Sequence, residues 1–110
     1  MTYDDVTKAL AAAGFFTYHR RESDTLICSA AEWPNVPQVT NSFWLDKQRS
    51  DWSVATWAPH LYRFADEARV PDACIAWLRR HPEPAQWGLD DGLKAEFALF
   101  EVDSDDLPGK

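Results

Sequence analysis

The hydrophobic and polar positions between residues 41 and 64 alternate with a period of two over two short runs, Ser42 to Lys47 and Trp52 to Trp57. Both runs are rich in strand-favouring residues, and the insert between them, Gln48-Arg49-Ser50-Asp51, is polar and has turn composition. This pattern predicts a β-hairpin. With the turn centred on Arg49-Ser50, Leu45 faces Val54, Trp44 faces Ala55 and Phe43 faces Thr56, and a two-residue and a four-residue loop give the same register. Side chains alternate across a strand, so one face carries Phe43, Leu45, Trp52 and Val54 and the other carries Trp44, Asp46, Ser53, Ala55 and Trp57. The first face reads as core. The second is either a small second core beneath the chain on its N-terminal side or a surface kept for a partner.

A second hairpin is expected from Phe15 to Arg21 and Thr25 to Ala30. A turn at Ser23-Asp24 sets Tyr18 opposite Ser29, His19 opposite Cys28 and Arg20 opposite Ile27. Leu61 to Phe64 is a candidate fifth strand. Between the hairpins, Ala31 to Thr40 contains Pro34 and Pro37 and reads as an extended loop anchored by Trp33.

Period 3.6 replaces period two elsewhere. Thr2 caps a helix to about Ala13, with Asp4 and Asp5 at its positive end, Val6, Ala9, Leu10 and Ala13 on one face, and Gly14 as terminator. Pro71 opens a second helix to about His81, with Pro71, Cys74, Ile75 and Leu78 on one face and Pro82 as its stop. Asp90 caps a last helix that directs Leu89, Leu93, Phe97 and Phe100 to the core, although Leu99 to Val102 also fits a strand. The predicted fold is α+β: one helix, a four- to five-stranded antiparallel sheet of hairpins, then two helices packed on one sheet face. Residues 1–103 form a single domain in this reading, and 104–110 a mobile acidic tail.

Composition narrows the function classes. A chain of 110 residues with 45% apolar residues and six tryptophans can bury one core without staples. No apolar run is long enough to span a membrane, and Asp4 and Asp5 stand where a secretion signal needs positive charge, which points to the cytoplasm. There Cys28 and Cys74 are expected free and buried. The net charge is −7, but residues 1–82 hold ten acids against nine Lys or Arg, and residues 83–110 hold eight against two. A near-neutral body lacks the basic footprint of a nucleic-acid binder.

Motifs for phosphate, zinc or a nucleophile elbow are absent, so the sequence implies no cofactor, no metal and no catalytic residue. His19 opposite Cys28 is the one arrangement that could activate a thiolate, against which stands the plain core role common to buried cysteines. His60 and His81 suit structural positions better than a metal site, and the carboxylate pairs Asp4-Asp5 and Asp90-Asp91 suit helix starts. The aromatics remain. Trp33, Trp44, Trp57 and Trp87 are the candidate binding residues, because tryptophan is enriched where proteins meet partners. The expectation is a non-enzymatic binding protein that uses an aromatic sheet face and an acidic C-terminal region. An immunity-type inhibitor or a small secretion chaperone has this size and charge, and its partner would be a basic protein. The alternative is a small-ligand domain with a tryptophan-lined pocket. An open sheet edge could also be closed by a second copy of the chain.

Overall fold

The computed structural model describes residues 1–30, 42–49, 51–55, 61–80 and 91–102, with the backbone alone for 101 and 102. Chain order is α1 (Tyr3–Ala12), β1 (Phe16–Arg20), β2 (Thr25–Ser29), β3 (Ser42–Gln48), β4 (Asp51–Ala55), β5 (Leu61–Phe64), a 3₁₀ turn (Glu67–Arg69), α2 (Val70–Arg80), α3 (Asp91–Glu96) and β6 (Leu99–Val102). The six strands form one antiparallel sheet in the order β1-β2-β3-β4-β5-β6. The α+β class matches the sequence expectation, with six strands in place of four or five. The predicted 104–110 tail lies outside the described residues, as do the 31–40 loop and the Asp90 cap.

The core lies between one sheet face and the helices. Leu26, Cys28, Phe43, Leu45, Trp52, Val54, Tyr62, Phe64 and Leu99 contribute from the strands. Val6 and Leu10 of α1, Val70, Ala73, Cys74, Trp77 and Leu78 of α2, and Leu93 of α3 close over them. The central hairpin has the predicted register, with Trp44 opposite Ala55 and Leu45 opposite Val54. Gln48 pairs with Asp51, so two residues form the loop, and Arg49 takes a left-handed φ of 60°.

The first hairpin corrects the expectation. Tyr18 pairs with Ile27, His19 with Leu26 and Thr17 with Cys28, two positions away from the predicted register. Arg20 opposite Thr25 closes a four-residue loop, with Asp24 at φ 50°. The shift is even, so every side chain keeps its predicted face while each changes its partner. His19 and Cys28 are therefore not opposite one another. The His19 ring instead bonds to Asp24 (Nε2 to Oδ1, 2.8 Å) and meets the Tyr3 ring edge-on.

Two further corrections concern the helices. The buried stripe of α2 is Val70, Ala73, Cys74, Trp77 and Leu78, and the helix starts at Val70, one residue before Pro71. Pro71 and Ile75 are only half-buried. The last helix ends at Glu96, and Ala98 at φ 54° turns the chain into β6, so Phe100 is 49% exposed rather than in the core.

The start of α1 ties the sheet together. Thr2 and Asp5 form a capping box, in which Asp5 N–H donates to Thr2 Oγ1 and Thr2 N–H donates to Asp5 Oδ2. One residue further, the Tyr3 hydroxyl donates to the Asp24 carbonyl (2.7 Å) and accepts from the Lys47 N–H (3.0 Å). Burial pushes the Tyr3 phenol up to about 12; the Lys47 N–H opposes this and the Asp46 and Asp24 carboxylates add to it. Raising the pKa of an acid in the folded state stabilises the fold below the unfolded value of 10, and that contribution is lost as pH rises from 10 towards 12. Tyr3→Phe is accordingly expected to be less stable than wild type by about 1 kcal/mol at pH 8. The gap between their urea midpoints should narrow above pH 10. A gap that stays constant from pH 8 to 12 would mean that the phenol is not neutral and engaged in the folded chain.

Candidate binding face

The register determines what the face opposite the described helices displays. Across the strands, one row reads Tyr18, Ile27, Trp44, Ala55 and Leu61. The next reads Arg20, Thr25, Asp46, Ser53, Arg63 and Phe100. A third, at the β1 side, holds Phe16, Ser29 and Ser42. Adjacent strands lie about 4.8 Å apart, so the face is roughly 24 Å wide from β1 to β6.

Phe16 is 40% exposed, Tyr18 39%, Trp44 46% and Phe100 49%, and all four lie on this face. Single exposed apolar residues are ordinary on a protein surface, and here the rings are spread over the face, Phe16 and Tyr18 on β1, Trp44 on β3 and Phe100 on β6, with Thr25, Ser29, Ser42 and Leu61 buried between them. Ile27 lies between Tyr18 and Trp44 and is buried. The Arg20 guanidinium reaches across from β1 to within 5.5 Å of the Trp44 ring centroid. Such a cation over an indole is favourable and holds one side of the ring in place.

Beside the aromatic row the surface becomes polar. Asp46, Gln48, Asp51, Ser53, Leu61 and Arg63 line a shallow depression, with Trp52 also contributing to its wall. Burial raises the pKa of Asp46; the Lys47 N–H counters this and the nearby Asp24 carboxylate adds to it. Among the described residues Arg20 and Arg63 balance Asp46 and Asp51, so what they contribute to the face is close to neutral.

Of the predicted binding residues, Trp44 is on this face and exposed. Trp33, Trp57 and Trp87 lie outside the described residues, as do His60 and His81. Phe16, Tyr18 and Phe100 were not among the predicted site residues. The signal for the first two was present in the alternation of Phe16, Tyr18 and Arg20, but the link from β2 to β3 that brings them beside Trp44 carries no local sequence mark.

The thiols lie on the opposite side of the sheet. Cys28 and Cys74 are both free and buried in the core. Burial pushes the Cys28 thiol well up, and contact with the Cys74 thiol pushes it further, which favours the non-nucleophilic form. Among the described residues, no three His, Cys, Asp or Glu side chains gather in a way that could hold a metal ion. No helix among them is long and apolar enough to cross a membrane. No protein-family model, curated protein or solved structure matches the chain. The functional argument therefore rests on the geometry of the open face.

Proposed function

We propose that this chain is a non-enzymatic cytoplasmic protein that binds another protein through the open face of its sheet. The observation that carries the reading is that Phe16, Tyr18, Trp44 and Phe100 are all exposed on the side of the sheet opposite the described helices. Trp44 is the anchor. It is the most central of the four, and an indole with one side held by Arg20 loses little freedom when a partner covers the other. The partner this suits has an apolar centre and a basic surround, because the net charge of −7 steers a basic protein towards the chain while the neutral face makes the contact. An immunity-type inhibitor or a small secretion chaperone would suit this size and charge, and the analogy goes no further.

The test is affinity capture from the native lysate with mass spectrometry, using wild type, Trp44→Ser, Phe100→Ser and, as a control on the helix side, Arg80→Ala. Wild type and Arg80→Ala should retain the same basic protein, with less of it at higher salt, and both open-face variants should lose it. Retention by Trp44→Ser would refute the reading. Stability gives a second check. Trp44→Ala should lower the melting temperature by less than about 5 °C, the scale of a surface change, and a fall well over about ten degrees would show that Trp44 is a core residue.

A further inference from the structure

We propose that Cys28 and Cys74 are a latent redox pair: when α2 lifts from the sheet, a small-molecule disulfide oxidises the two thiols, and the bond they form fixes α2 to β2. The inference concerns the core and does not rest on the binding role of the open face. Both cysteines are free and buried, Cys28 at 0% exposed and Cys74 at 2%. The topology brings them together from separate elements. Cys28 is on the helix side of β2, opposite Phe43 of β3, and the Phe43 ring stacks on Trp77, about one turn along α2 from Cys74. The two thiols are in contact across this junction. Phe43, Val54, Phe64, Trp77 and Leu93 line a small apolar cavity with Cys74, which leaves its side chain room to change rotamer. Thiols that meet where a helix seats on a sheet are placed to record whether the helix is seated.

While α2 is seated, neither sulfur is open to an oxidant, and burial together with the Cys74 contact keeps the Cys28 thiol protonated. Lifting α2 carries Cys74 into water and uncovers Cys28. The Cys74 thiolate then attacks one sulfur of the small disulfide RSSR; a mixed disulfide forms, and RSH leaves with the proton that Cys74 gave up. The Cys28 thiolate attacks Cys74 Sγ, the mixed disulfide breaks, and a second RSH leaves with the Cys28 proton. Two protein thiols are thereby oxidised to one disulfide, and one RSSR is reduced to two RSH. When α2 closes again, the new bond spans the contact that the two thiols held before. A disulfide stores strain where its geometry is wrong and stabilises the fold where it is right, so the sign of the stability change reports whether the pair fits the closed fold.

Incubating the purified, fully reduced chain with oxidised glutathione tests this, with products read by intact mass and peptide mapping at a series of quenched times. Wild type should lose two hydrogens and yield a peptide that links Cys28 to Cys74 within one chain. Without reductant, the melting temperature of that product should exceed that of the reduced chain by roughly 10 °C or more. Trp77→Leu, which loosens the seat of α2, should form the same bond about tenfold faster or more. Tyr3→Phe, which weakens the far end of the core, should keep the wild-type rate. A wild type that stays reduced, or that gives only mixed or intermolecular disulfides, overturns the proposal. So does an internal disulfide that does not raise the melting temperature, or a rate that Trp77→Leu leaves unchanged. A rate that Tyr3→Phe raises in proportion to its loss of stability overturns it too, since oxidation would then follow unfolding of the whole chain rather than the lifting of α2.

Discussion

Trp52→Ala is expected to cost about 3–5 kcal/mol, a large part of the roughly 5–15 kcal/mol that keeps a domain folded. Trp52 is 1% exposed and lies on the core face of β4, at the end of the sheet that α1 and the 3₁₀ turn close. Three elements meet on its ring. The Tyr3 ring of α1 stands edge-on at 5.6 Å, the Lys47 ammonium of β3 lies 5.6 Å from it, and its Nε1–H donates to Glu67 Oε2 of the 3₁₀ turn at 2.7 Å. That donated bond is the largest cause holding the Glu67 carboxyl below its ordinary value. Removing the indole leaves a cavity where rigid elements converge and cannot collapse together, which is the costly kind. Thermal unfolding should show a fall of roughly 15–30 °C. Trp52→Phe retains most of the ring but loses the N–H, and should fall between wild type and Trp52→Ala. A Trp52→Ala protein within about 1 kcal/mol of wild type would mean that the closure at this end is not a core.

The contrast between Trp52 and Trp44 shows how far the sequence could be read. Both belong to one hairpin, whose turn is short and polar and whose alternation is unbroken, so their opposite faces and the register between them were legible from local pattern alone. The first hairpin was legible to within a face but not a partner. Its loop, Arg21-Glu22-Ser23-Asp24, contains several residues that tolerate a turn, and the structure closes it two positions earlier than the Ser23-Asp24 turn suggested. That difference separated His19 from Cys28 and removed the only thiol-imidazole pair the sequence offered. Pairings between hairpins leave no such local mark. Ile27 opposite Trp44 and Arg63 opposite Phe100 depend on chain segments that return over longer distances. The open face was therefore legible as one tryptophan, and the three aromatics around it required the topology.

Phe100 shows a different limit. Leu93, Phe97 and Phe100 share a helical spacing, and that spacing extended the last helix one turn too far. Leu93 and Phe97 are buried as the helical pattern implies. Ala98 in the left-handed region then ends it, since a residue with positive φ cannot continue a right-handed helix. The strand that follows pairs with β5 and turns Phe100 to the other side of the sheet. A short apolar run is ambiguous between helix and strand, and here pairing with the sheet edge decided it.

Trp77→Ala should be the second large loss, about 3–5 kcal/mol, from the opposite end of the core. Trp77 is 2% exposed on α2, and its ring stacks on Phe43 of β3 with centroids 4.4 Å apart and planes 22° from parallel. This stack, with the Cys28–Cys74 contact, joins α2 to the sheet. The stripe of Pro71, Cys74, Ile75 and Leu78 and the buried stripe of Val70, Ala73, Cys74, Trp77 and Leu78 differ by a rotation of roughly 80° about the helix axis, which brings Ala73 and Trp77 inward. Single and double substitutions isolate the ring contact: Phe43→Leu and Trp77→Leu each remove one ring, and their effects should fall short of additive by about 0.5–1.5 kcal/mol, the worth of an aromatic pair beyond the area it buries. Additive losses in urea unfolding would mean that the two rings occupy the core independently.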